Sequence, residues 1–334
     1  MKHRALLFIG AAFIVSVIAF IIYTYTATQP LAQQPDPSYL SFTMLYDNKD
    51  DATVWEYDLQ THEASEVFRF PFNAMYPLGI YDKAANRVFY SKKCNDYTLE
   101  RGDQICMYEL DTGAETILTE DLFAVNYILP MDDAVFFLAV TRENRDSLIV
   151  GKVYLTDNKV RYWDEADTAS SHILSIDREK KRLYVSVFDT READAAFSTD
   201  PDLVPTHTIY SFDYDLGDKR EILCKEHMNI RAVYARNDLM IYTAQDTLVP
   251  EEDSYTLTQV LDLNSMEVLF ESDKRFSQEG CFSPDAAGVY SFASVGDFYG
   301  ITYFDFLTQE YTPILEEYNE YGYIANFQMM QDKE

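Results

Sequence analysis

The chain has 334 residues, with 27 Lys and Arg against 56 Asp and Glu, a formal net charge of −29. Hydrophobic residues make up 47% of it, ample for a core and too many for a disordered acidic tail. The charge excludes nucleic-acid binding by bulk electrostatics, because duplex recognition neutralises phosphates with Lys and Arg, and it gives the body no attraction for an anionic membrane surface.

In chain order, residues 1–4 carry Lys2, His3 and Arg4 and read as a short cytoplasmic N-terminus. Residues 5–23 hold no charge, and about 20 apolar residues span a bilayer core. This run predicts a single transmembrane signal-anchor helix, N-terminus inside and the rest extracytoplasmic. A cleaved signal peptide is the competing reading, but its apolar core is usually only ~7–15 residues long. Residues 24–38 are polar and Pro-containing and read as a linker. The body has no Asn-X-Ser/Thr sequon, which favours a bacterial cell surface.

From residue 39 to 334 a pattern repeats. Tyr57-Asp58-Leu59, Tyr108-Glu109-Leu110, Val153-Tyr154-Leu155, Phe212-Asp213-Tyr214, Leu261-Asp262-Leu263 and Phe304-Asp305-Phe306 recur at spacings of 51, 45, 59, 49 and 43 residues. Each sits before a turn and another apolar run, and upstream of it lies a second hairpin such as Gly79-Ile80-Tyr81 with Val88-Phe89-Tyr90. Four strands in about 50 residues make a propeller blade. The predicted fold is all-β: a six-bladed β-propeller of four-stranded blades, with helix signals nearly absent beyond the anchor. The first unit supplies three strands and the stretch from Tyr321 to Met330 one, so the ring closes by adding the C-terminal strand to blade 1.

Phe282-Ser283-Pro284-Asp285 with Val289-Tyr290-Ser291-Phe292, and Ile105-Cys106-Met107-Tyr108-Glu109-Leu110-Asp111-Thr112-Gly113, resemble the strand–turn–strand elements of TolB-like and PD40-type propellers. Blade 6 departs from them with Ala286-Ala287-Gly288, and other blades lack Ser-Pro. The resemblance implies the fold and, loosely, a periplasmic or cell-surface interaction role.

In such a blade the first–second and third–fourth turns share one face, here short. The second–third loops share the other and are long, at residues 92–104, 141–147, 190–205 and 245–255. Long loops on a rigid scaffold carry recognition. Counting five residues back from each first turn gives Pro77, Asn126, His172, Arg231 and Gly280, at the channel mouth on the long-loop face. Asn126, His172 and Arg231 on consecutive blades would suit a carboxylate or similar anion. The ring so counted contains no acid and no nucleophile.

Cys94 and Cys106 flank one long loop and are placed for a hairpin-closing disulfide. No cofactor is expected. The acid-rich runs at residues 47–51 and 251–253 offer oxygens of the kind calcium takes, but lack the Gly and spacing of a defined calcium loop and read as solvated turns. Nor is there zinc spacing, a Gly-x-Ser-x-Gly elbow or an Asp-box. The leading expectation is a membrane-tethered binding or sensing propeller for a protein, peptide or cell-envelope ligand on the long-loop face. The alternatives are a hydrolase or lyase at the channel mouth, and a structural accessory subunit of an envelope complex.

Overall fold

Six antiparallel sheets, each continued in sequence by the next, follow from the six repeats. The computed structural model describes residues 38–46, 50–94, 102–163, 169–199, 204–247, 255–316, 318–319 and 322–331. The expected anchor at residues 5–23, nearly all of the linker, and most of both acid-rich runs lie outside the described residues. Among the described residues no helix is long and apolar enough to cross a membrane.

Blade 1 contains β1 (Ser38–Leu45), β2 (Asp51–Asp58) and β3 (Ala64–Pro71); blade 2 contains β4 (Gly79–Asp82), β5 (Arg87–Lys93), β6 (Asp103–Glu109) and β7 (Ala114–Ile117). Blade 3 is built from β8 (Leu122–Pro130), β9 (Ala134–Thr141), β10 (Ile149–Tyr154) and β11 (Val160–Tyr162), and blade 4 from β12 (Ala169–Asp177), β13 (Arg182–Asp189), β14 (His207–Asp213) and β15 (Arg220–Lys225). Blade 5 follows with β16 (Asn229–Arg236), β17 (Leu239–Gln245), β18 (Thr256–Asp262) and β19 (Val268–Ser272), and blade 6 with β20 (Gly280–Phe282), β21 (Gly288–Val295), β22 (Phe298–Asp305) and β23 (Tyr311–Glu316). The ring closes as expected: β25 (Gly322–Gln331) pairs with β1 from Ser38↔Gln331 to Leu45↔Tyr323 and becomes the innermost strand of blade 1. A two-residue strand, β24 (Tyr318–Asn319), adds to its free side.

The recurring acidic anchor has a local cause. Asp58 Oδ1 accepts from the backbone N–H of Gln60 and Thr61 at 2.7 and 2.9 Å, Asp262 Oδ1 from Asn264 and Ser265 at 2.8 and 3.1 Å, and Asp305 Oδ1 from Leu307 and Thr308 at 2.8 Å each. An Asp closing strand three thus satisfies the N–H groups that the turn would orphan. The turn then passes through left-handed conformations at His62, Gly113, Asn158, Leu216, Met266 and Gln309, with Asp218 a second such residue in blade 4.

Alternation along β1 explains how blades join. Leu40 and Phe42 face the cluster that packs blade 6 on blade 1, with Ile301, Ile324 and Phe327. The polar positions between them reach the neighbouring inner strand: Ser41 Oγ accepts from Tyr81 N–H at 2.8 Å, and Thr43 Oγ1 donates to the Gly79 carbonyl at 2.7 Å. The hydroxyls therefore satisfy the free inner edge of β4, which no strand covers. Blade 4 repeats the device on blade 5, where Ser175 Oγ accepts from Ala235 N–H at 3.1 Å.

One expectation fails. The long segment after β13 contains a helix, α1 (Thr190–Thr199). Asp189 is its cap, accepting from Arg191 N–H at 2.8 Å, and Ala-rich sequence follows. Glu192 ties the far end of the segment back, accepting from both the N–H and the hydroxyl of Thr206 at 3.1 Å.

Candidate functional site

The inner strands carry β-bulges at one level. On β8 the register slips between Val125 and Tyr127, leaving Asn126 unpaired. The same slip frees His172 on β12, Arg231 on β16 and Ala325 on β25. A bulge re-aims one side chain out of the ladder alternation. The three residues singled out by spacing are thus the bulge residues of three successive blades.

The rest of the ring needs two corrections. On blade 6 the last pairing before the turn is Ser283 N–H to the Gly288 carbonyl, 2.9 Å, so the equivalent residue is Gln278 and not Gly280. Gly280 is bare for a steric reason, since a Cβ there would lie 2.2 Å from the Tyr234 hydroxyl oxygen. Gln278 Nε2 donates across the axis to the His172 carbonyl at 3.4 Å. On blade 1, Asn326 next to the bulge residue Ala325 donates from Nδ2 to the Pro77 carbonyl of blade 2 at 3.0 Å. One rung deeper, Gln328 Nε2 donates to the Ile128 carbonyl of blade 3. The channel is therefore braced by the amides of Gln278, Asn326 and Gln328, and Asn126 Oδ1, Asn326 Oδ1 and Gln328 Oε1 are buried without a protein donor among the described residues.

Charge enters at blades 5 and 6. Arg231 is partly buried, with no hydrogen bond or ion pair among the described residues, and burial, then Arg275, pull its pKa down. The second correction is an acid: Glu279, beside Gly280, has its carboxyl pushed up by burial, offset by its own backbone N–H and by Arg231. His172 lies 5.9 Å from the His207 ring and 6.3 Å from Phe188. Burial, with Arg231 adding to it, draws His172 down to about 4, and burial with His172 draws His207 to about 3. His172 is therefore a neutral group at pH 7, and Arg231 and Arg275 are the cations of this end.

Around this mouth the long-loop face presents Tyr255, Tyr299, Tyr323 and Tyr76, 56, 49, 37 and 41% exposed, on the arc from blade 5 through blades 6 and 1 to blade 2. The sequence reading passed over them because exposure is set by loop geometry and not by any local motif.

Cys94 and Cys106 are free thiols in contact, joined by a side-chain hydrogen bond that lowers Cys94 and, with burial, raises Cys106. Cys106 pairs with Tyr90 across β5–β6, and Cys94 N–H donates to the Gly102 carbonyl at 3.1 Å. Among the described residues no three His, Cys, Asp or Glu gather to hold a metal ion.

No family model matches the sequence, and no curated protein is similar to it in sequence. Solved structures do match in fold. TolB from Acinetobacter baumannii superposes with TM-score 0.60 at 12% identity over 92% of this chain and 69% of that one. The β-propeller domain of the Trilobed protease from Pyrococcus furiosus gives 0.53 at 13% identity, covering 83 and 84%. Oligogalacturonate lyase from Vibrio parahaemolyticus gives 0.50 at 11%, covering 78 and 75%. The chain is a six-bladed propeller of the kind found in TolB and PD40-type structures, and at these identities the likeness concerns the fold alone.

Proposed function

We propose that this protein is a membrane-tethered, extracytoplasmic binding or sensing propeller. Its partner, a protein, peptide or cell-envelope component, meets the long-loop face and delivers a carboxylate to Arg231. The observation that carries this reading is Arg231 itself, a partly buried guanidinium that makes no ion pair among the described residues. An unpaired buried charge is costly, and a ligand carboxylate would relieve the cost. Asn126 and neutral His172 supply polar contacts without adding charge, and the tyrosine arc supplies rigid amphipathic contact area of the sort enriched at interfaces. The uncharged run at residues 5–23, preceded by Lys2 and Arg4, supports the tether and the N-inside orientation.

The test is photo-crosslinking in intact membranes from a probe at position 299, with the partner identified by mass spectrometry. Arg231→Ala should abolish the adduct, and an undiminished adduct would remove Arg231 from the interface. A second reading, a hydrolase or lyase at the same mouth, draws on Glu279 as the acid whose charge acts on Arg231. It predicts turnover that Glu279→Gln abolishes.

A further inference from the structure

A concavity enters the channel from the short-turn end. It is a solvent-open concavity between β8, β12, β16, β20 and β25, opening among the short turns. Its charged lining is limited to Arg178, Glu179 and Arg236. Glu179 is committed to Arg236, Oε1 to Nη2, at 2.9 Å.

Arg178 is different. It leaves the β12–β13 turn of blade 4 and crosses the channel end. Its Nη1 donates to Met131 Sδ at 2.8 Å, and its Nη2 to the Pro130 carbonyl at 3.1 Å and toward Met330 Sδ at 3.8 Å. Those partners belong to blades 3 and 1. A thioether is a weak acceptor, and among the described residues no carboxylate lies within an ion-pair distance of Arg178. Burial depresses its pKa, with only distant help from Tyr214 and Asp132. Most of the well-buried cations elsewhere are matched: Arg87 holds Asp82 at 2.9 Å and Arg182 holds Asp218 at 2.8 Å.

We propose that this cavity is a second binding site, for a small polycarboxylate whose head is taken by the Arg178 guanidinium. The fork geometry suits a carboxylate, the net charge of the lining is positive inside an acidic body, and Leu129, Val233 and Phe282 give the ligand's carbon skeleton an apolar wall. The cavity reaches inward as far as Gln278 of the bulge ring, and Arg231 is not among the residues that line it.

Citrate and inorganic phosphate titrated into the full-length protein, by calorimetry and thermal melting, test the assignment. Citrate should bind and raise the melting temperature of the wild type. Arg178→Met should weaken citrate binding by at least about ten-fold and melt no lower than wild type, because an uncompensated buried charge gives way to an apolar side chain of similar volume. Arg178→Lys, which keeps the charge and loses the fork, should fold and bind with intermediate affinity. The proposal is overturned if citrate fails to bind at about 10 mM, if Arg178→Met binds it unchanged, or if phosphate binds more tightly than citrate.

Discussion

His172 carries a quantitative consequence for pH. Its folded pKa is held near 4 by burial first and Arg231 second, whereas an unfolded histidine titrates near 6.5. Between those values the unfolded chain is protonated at this site and the folded chain is not. Stability is therefore full above pH 6.5 and is lost as pH falls toward 4. Linkage puts the loss at pH 5.0, relative to pH 7.5, at about 2 kcal/mol from this one group. His172→Asn removes the group from both states. Urea unfolding at the two pH values should then show the wild type losing about 2 kcal/mol more than the variant, a difference of roughly 1 M in relative midpoint shift. Subtracting the variant cancels the many carboxylates that titrate alongside. Arg231→Ala should shrink the difference, since its charge is the second cause. Equal pH dependence in wild type and His172→Asn would show that His172 is solvated in the folded protein and would remove the picture of a buried, neutral His172.

Three further outcomes follow from the fold. Asp262→Ala unties two turn N–H groups and should cost about 1–2 kcal/mol in urea unfolding, with Asp262→Asn recovering most of it. Gly322→Ala would place a Cβ 1.8 Å from the Leu45 carbonyl oxygen at the start of the closing strand; a loss of about 1–3 kcal/mol and faster proteolysis of the C-terminal strand are expected, and unchanged stability would mean the closing register is looser than described. Oxidised glutathione should join Cys94 to Cys106, read as a two-hydrogen mass loss absent in Cys94→Ser. A raised melting temperature worth about 3 kcal/mol should accompany it, and persistence of both thiols would show that the pair is geometrically barred.

Much of the ring was legible because its determinants are local. Asp58, Asp262 and Asp305 each cap the turn that follows them, so the repeat announced the third strand of its blade. Closure was legible because an unpaired strand at one end matched a missing strand at the other. Equal spacing also located Asn126, His172 and Arg231, although nothing in the sequence said that they are bulged. The count slipped on blade 6 because the turn was read as residues 284–288 and counted from within it, whereas the ladder ends at Ser283. That slip hid Gln278 and Glu279. The helix α1 was missed although Asp189 and Glu192 have the spacing of a helix start. The cross-channel braces were out of reach, since Gln278 and Gln328 find their acceptors 106 and 200 residues away. Arg178 was likewise illegible, because its partners lie on other blades.

The closing ladder also sets how the ring yields under force. Ser38 and Gln331, the two extremities of the described propeller, are register partners at one end of the β1–β25 pair. Tension applied through both would load that pair of bonds alone and then the next, parting the strands as a zipper and not as a lap joint sheared along its whole length. Blade 1 would open first, at modest force, while the other five sheets kept their own internal ladders.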